Sequence, residues 1–180
     1  MKQQHIYAKV LALEAEHGTT DPFSILTSMG VKIIESTKYK NMKGFCTVMN
    51  GTSYVLINSF LDLPTKRIIA AHELGHLIFH SDEIQKQGTL FDLMQGAPMN
   101  MTEHEANCFA ADLLIKDDDV IACGNDFQGD VFAMARFMET MPELLNLKIS
   151  SMYKRGYDFK VPLVNDSTFL RNYPYPNEEF

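Results

Sequence analysis

The sequence predicts an α+β fold, a mostly helical single domain in which a small antiparallel sheet, or hairpin, precedes a central helix. Three observations support this class. Several segments repeat apolar residues at helical spacing, one strong hairpin signal stands at Asn50-Gly51, and 46% of the 180 residues are hydrophobic. A chain of this length buries one core, so we expect one domain over residues 1–165. The polar, proline-containing segment 166–180 is expected to be an extended or partly disordered tail.

Two helices are predicted at the start of the chain. The first has apolar residues at helical spacing over residues 6–13 and ends before Gly18. The second begins at Asp21-Pro22, which is a helix-start signal, and ends at Gly30. We interpret both helices as scaffold.

Three strands are predicted next, over residues 31–35, 44–49 and 53–58. The last two flank Asn50-Gly51 and form the expected hairpin. An edge strand can hold an extended substrate backbone, and the segment Tyr54 to Asn58 is the candidate for this role. Ordinary packing within the sheet is an equally good interpretation of the same segment.

The segment IIAAHELGHLIFH predicts a buried helix that carries a metal site. His72 and His76 are four residues apart, so their imidazoles lie on one helix face and can share a tetrahedral Zn²⁺. Glu73 lies beside that metal and can take a proton from a zinc-bound water. Two core histidines without a metal are the alternative, which the cost of burying two imidazoles and a carboxylate disfavours. The segment therefore indicates a zinc-dependent hydrolase.

His80 continues the same spacing but cannot join the same metal. It lies about 12 Å along the helix axis from His72, at about 1.5 Å per residue. We interpret His80 as a structural residue at the helix end, where the helix dipole favours its cationic form.

A second helix is predicted over residues 102–114 and is the best source of a third zinc ligand. Thr102 and Glu105 have the spacing of a capping box, which leaves Glu103 as the preferred ligand. Asn107 shares a face with Glu103 and can hydrogen-bond a metal ligand. Glu105 and, less favoured, His104 remain alternative ligands.

Together, AHELGHLIFH and E-x-E-A-N-x-F-A-A-x-L-L resemble the ImmA/IrrE family of zinc metallopeptidases. The resemblance implies a zincin-like domain with a gluzincin-like site, in which His72, His76 and Glu103 bind zinc and Glu73 is the base. Family members often have a proline after the second helix, whereas this chain has Lys116 followed by three aspartates.

The resemblance also implies a protein substrate, namely a helix-turn-helix repressor that controls a mobile element or a stress response. Two alternatives remain open. The chain could be a non-catalytic zinc-containing module that docks on a repressor, or a component of a toxin-antitoxin pair. An intact Glu73 argues against a purely structural zinc site, which normally has a protein ligand in its fourth position.

The composition of the chain indicates which classes of partner it can bind and which cellular compartment it occupies. A net charge of −7 argues against direct nucleic-acid binding. Basic clusters near aromatic residues occur only at Lys38-Tyr39-Lys40 to Lys43 and at Lys154-Arg155, and we interpret both as solvated surface. The three cysteines, Cys46, Cys108 and Cys123, are odd in number and widely spaced, which is typical of a reducing compartment. The polar start of the chain predicts neither a signal peptide nor a membrane span, so we expect a cytoplasmic protein.

The other segments are predicted to form one long loop and further helices. Residues 81–101 are predicted to form a long loop, which could act as a lid or simply connect the two metal helices. The aspartates at 117–119 are interpreted as a helix start, and further helices are predicted near 130–139 and 142–156.

Overall fold

The computed structural model describes residues 3–38, 42–87 and 101–158. Within these ranges, two helices come before a three-stranded sheet in the sequence and the other helices come after it. The predicted α+β class is therefore confirmed. The elements are α1 (Gln3–His17), α2 (Pro22–Ser28), β1 (Lys32–Ser36), β2 (Gly44–Met49), β3 (Thr52–Asn58), α3 (Leu63–Phe79), α4 (Ser81–Gln87), α5 (Met101–Leu114), α6 (Asp117–Asp126), α7 (Val131–Phe137) and α8 (Pro142–Lys154).

The sheet is mixed, whereas an antiparallel sheet was predicted, and the predicted substrate strand is not at its edge. Its strand order is β1-β3-β2, with β2 and β3 antiparallel and β1 and β3 parallel. The hairpin at Asn50-Gly51 returns the chain between β1 and β2, so β3 becomes the central strand. The prediction that Tyr54 to Asn58 holds a substrate backbone is wrong, because this strand is paired on both sides.

Helix α3 begins at a capped N-terminus, and most of its middle residues are buried. The side chain of Asp62 caps it by accepting a hydrogen bond from the backbone N–H of Thr65 at 2.8 Å, and Pro64 stands in its first turn. The helix packs against α5, α2 and strands β2 and β3. Its middle turns are therefore buried on nearly every side, including His72, Glu73 and His76.

A buried ionic group joins α5, α6 and α8, and no local pattern in the sequence predicts it. The Lys148 ammonium lies 3.2 Å from Asp112 and 2.7 Å from Asp117. Ser151 donates a hydrogen bond to Asp112 at 2.8 Å, and Arg155 pairs with Asp117 at 2.6 Å. We call these five residues the Lys148 cluster.

The remaining predictions are partly tested. Helices α7 and α8 confirm those expected near 130–139 and 142–156. The predicted loop over 81–101 is wrong in its first part, because α4 occupies Ser81–Gln87. Its residues 88–100 and the predicted tail 166–180 lie outside the described residues. Among the described helices, none is long and apolar enough to cross a membrane.

Candidate metal centre

Three side chains from two neighbouring helices converge at one point. His72 and His76 project from α3, and Glu103 projects from the first turn of α5. One ligand atom from each lies within 4.8 Å of the others. We call these residues the His–His–Glu group. The two imidazoles are buried, whereas 23% of the Glu103 side chain is exposed, so the group faces solvent on the α5 side.

The spacing within the group fits a tetrahedral metal ion. The two Nε2 atoms are 3.0 Å apart, and the Glu103 oxygens lie 3.4 Å from His72 and 3.2 Å from His76. Ligands of a tetrahedral zinc at about 2.05 Å are separated by about 3.3 Å. Two histidines and one carboxylate are also a donor set of catalytic zinc sites, which keep one position for water. The residues therefore fit the ion that the sequence predicts.

A hydrogen bond on the far side of His72 prepares it for this role. Its Nδ1 lies 2.8 Å from the amide oxygen of Asn107, and both residues are buried. Because an amide oxygen only accepts, Nδ1 is the donor, and Nε2 of the neutral ring keeps its lone pair. Asn107 thus favours the tautomer that can bind a metal.

The charges within the group also favour a cation. Burial alone would raise the pKa of Glu103, but hydrogen bonds from His72 and His76 hold that pKa well below its usual range. Burial alone would lower the pKa of His72, yet the hydrogen bond and charge of Glu103 raise it above its ordinary value. The carboxylate is therefore stabilised by a positive partner, and a metal ion can take the place of a proton on histidine.

Glu73, which follows His72 on α3, is buried and forms a hydrogen bond with strand β2. Its carboxylate accepts a hydrogen bond from the Cys46 thiol, and burial followed by the Glu73 charge raises the pKa of that thiol well above its usual value. Cys46 therefore stays protonated and acts as a donor. Gly44 permits α3 to pack closely on this part of the sheet, because a Cβ there would lie 2.4 Å from Ile69 on α3 and 2.8 Å from the Leu56 carbonyl oxygen. The cysteine was predicted only as one of three reduced thiols.

The other candidates from the sequence lie elsewhere. Glu105 was weighed as a ligand and as part of a capping box, but its carboxylate lies 3.1 Å from His80 Nε2, and Thr102 is inside α5 rather than before it. His104 contacts the Cys108 thiol at 3.5 Å. His80 does end α3, but burial lowers its pKa, so the predicted cationic form is wrong.

Gly75 sets the distance between the two helices. A Cβ at this position would lie 3.1 Å from the Phe109 ring and 3.2 Å from Cα of Ala106, both on α5. A helix-interior glycine costs about 1 kcal/mol relative to alanine, so close packing explains the residue.

We expect Gly75→Ala to weaken metal binding by moving α5, and with it Glu103, away from the two histidines. Its effect on stability is smaller, because overpacking of about 1–3 kcal/mol is offset by about 1 kcal/mol of helix propensity. Competition with a chelating dye would measure zinc affinity, and urea unfolding would measure stability. The matched control is Gly124→Ala in α6, where a Cβ would meet only Met134, at 4.0 Å. Equal zinc affinity in the two variants would contradict this account.

Comparisons with known proteins identify the family of the chain. A family model, Peptidase_M78, described as the IrrE N-terminal-like domain, matches residues 26–150. This range includes every residue of the His–His–Glu group together with Glu73 and Asn107. The chain is also 29% identical, over 115 residues, to a protein of Bacillus phage phi105 named uncharacterized immunity region protein 2. That alignment covers 62% of this chain and 69% of the phage protein. No solved structure matches the chain.

Proposed function

Because this chain belongs to the Peptidase_M78 family, the IrrE N-terminal-like domain family, we propose that it is a zinc-dependent endopeptidase. His72, His76 and Glu103 hold the metal, and Glu73 is the general base. The observation that carries the proposal is the convergence of two imidazole nitrogens and a carboxylate, together with a second, buried carboxylate on the residue that follows the first histidine. A purely structural zinc site has no use for that second carboxylate.

The chemistry divides between the ion and the protein. A bound zinc ion would lower the pKa of a water molecule to about 7 and polarise the carbonyl of the scissile peptide. Glu73 follows His72 directly in sequence, and its buried carboxylate accepts the proton of the attacking water and can pass it to the leaving amine. The Cys46 thiol, a donor to Glu73, restricts the orientation of that carboxylate. Asn107 keeps His72 in the ligand tautomer.

The substrate we propose is a helix-turn-helix repressor. Its support is the resemblance to repressor-cleaving peptidases and the likeness to a protein named for a phage immunity region. The net charge of −7 agrees with a basic, DNA-binding partner, because opposite charge accelerates encounter.

Removal and return of the metal test this proposal. The purified chain is incubated with the helix-turn-helix regulator encoded nearest its gene, as isolated, after treatment with EDTA, and after addition of one equivalent of zinc. We expect EDTA to abolish cleavage and zinc to restore it, with about one zinc per chain by elemental analysis. Tight binding of the regulator without cleavage in any state would instead support the docking module.

A further inference from the structure

A chain of buried hydrogen bonds extends from His76 to the second metal helix. His76 Nδ1 lies 3.1 Å from Nδ1 of His80, and Nε2 of His80 lies 3.1 Å from a carboxylate oxygen of Glu105. His76, His80 and Glu105 are exposed by only 2%, 5% and 7%. In so little water, each polar atom depends on its protein partner.

The chemistry of these partners determines where the protons lie. An ionised carboxylate only accepts, so Nε2 of His80 is the donor to Glu105. The neutral His80 ring then has a lone pair on Nδ1, which accepts from His76 Nδ1–H. His76 is left with its lone pair on Nε2, the atom that faces His72 and Glu103. One carboxylate thereby selects the tautomer of a histidine that it does not touch.

We propose that His80 and Glu105 are positioning residues that hold His76 in its metal-binding tautomer and orientation. This inference rests on the proposed metal site and deepens it. The two histidine ligands are then held in the same manner, since each directs its Nδ1–H along hydrogen bonds that end on α5. For His72 the acceptor is Asn107 directly, and for His76 it is Glu105 through His80.

The arrangement gives α5 three functions at alternate positions. Glu103 faces the two histidines and would hold the metal with them, Glu105 fixes His76 through His80, and Asn107 fixes His72. Partners of this kind raise the basicity of a histidine ligand, and their loss typically weakens metal binding by about 10–100-fold. A movement of α5 relative to α3 would disturb the ligand and both tethers together.

The test compares zinc affinity across matched variants of the full chain. His80→Phe removes both ring nitrogens, whereas His80→Asn keeps an amide oxygen close to where Nδ1 stood, which can accept from His76. Glu105→Gln conserves volume but removes the charge that selects the tautomer. The control is His17→Asn, at a histidine whose ring contacts Ser28. Affinity is measured by competition with a chelating dye, ligand geometry by the visible absorption of the Co²⁺-substituted protein, and fold by unfolding in EDTA.

We expect His80→Phe to weaken zinc binding by about 10–100-fold and to alter the cobalt spectrum. His80→Asn should recover most of the affinity, and Glu105→Gln should fall between the wild type and His80→Phe. If His80→Phe does not fold, Glu105→Gln and His80→Asn decide the question. Wild-type affinity in Glu105→Gln and His80→Phe, or no advantage of His80→Asn over His80→Phe, would overturn the relay and leave the metal site intact. A wild-type chain that binds neither zinc nor cobalt would overturn the proposed function, and the relay with it.

Discussion

Glu73→Gln is expected to reduce peptide cleavage by about 10²–10⁴-fold, the usual contribution of a general base. An amide cannot take the proton of the attacking water. It can still accept the hydrogen bond from Cys46, and it has nearly the volume of the carboxylate, so the buried site should keep its packing. Zinc content should stay at about one ion per chain, because the three convergent ligands are unchanged. Cleavage of the regulator measures activity, and elemental analysis measures the metal.

The matched control is Glu83→Gln, the same substitution at an exposed position of α4. It should leave both cleavage and zinc content unchanged. Cleavage by Glu73→Gln at the wild-type rate would place the general base elsewhere. Loss of zinc from Glu73→Gln would show that Glu73 helps to hold the metal, which contradicts the division of roles proposed here.

Lys148→Met is expected to cost about 3–5 kcal/mol of unfolding free energy, the range found when one partner of a buried ion pair is removed. Methionine nearly matches the length of lysine but removes the charge shared by Asp112 and Asp117. The side chains of Lys148 and Asp112 are 1% and 0% exposed, so little water can replace the lost partner. Among the described residues, Asp112 would keep the donors on Ser151 and Gln3. Urea unfolding followed by circular dichroism measures the change.

Lys154→Met supplies the control, because it makes the same substitution at an exposed position of the same helix. Its effect should stay within about 0.5 kcal/mol. Adding Asp112→Asn to Lys148→Met should recover part of the loss, since one unbalanced charge is then removed. A cost below about 1 kcal/mol for Lys148→Met would mean that the cluster behaves as a solvated surface pair.

The Lys148 cluster bears on the metal centre through α5. Asp112 and Glu103 are on the same helix, nine residues or about 14 Å apart at about 1.5 Å per residue. The cluster joins the far end of α5 to α6 and α8, while the contact at Gly75 packs the middle of α5 against α3. A destabilised cluster is therefore expected to affect the position of Glu103 indirectly.

Local patterns in the sequence were sufficient for most elements of the fold. The hairpin at Asn50-Gly51, the helix that begins near Asp21-Pro22 and the α3 and α5 helices all depend on interactions between residues close in the chain. Hydrogen-bonded turns, side-chain caps and the 3.6-residue repeat act over a few positions, so they can be identified from the sequence without knowledge of the fold. The spacing of His72 and His76 is local in the same sense.

Contacts between distant segments were decided only by the tertiary structure. The parallel pairing of β1 with β3 placed the predicted substrate strand in the centre of the sheet. The spacing of Glu105 from Thr102 predicts a capping residue. In the structure, the packing of α3 on α5 brings Glu105 within hydrogen-bond distance of His80, which is 25 positions away. No local pattern distinguishes Lys148 from the other lysines, because its partner Asp112 is 36 positions away.

The sequence by itself determined the α+β class, most helix and strand positions, and a metal-binding pattern of two histidines with a neighbouring carboxylate. Only the tertiary structure decided which acidic residue of α5 faces those histidines, which one connects to His76 through His80, and that Lys148 is buried in an ionic cluster. The physical reason is the separation along the chain over which each kind of interaction acts. Helix periodicity fixes neighbours within about a turn, whereas the partner of a buried polar group is whichever side chain the packing of separate elements brings within hydrogen-bond distance.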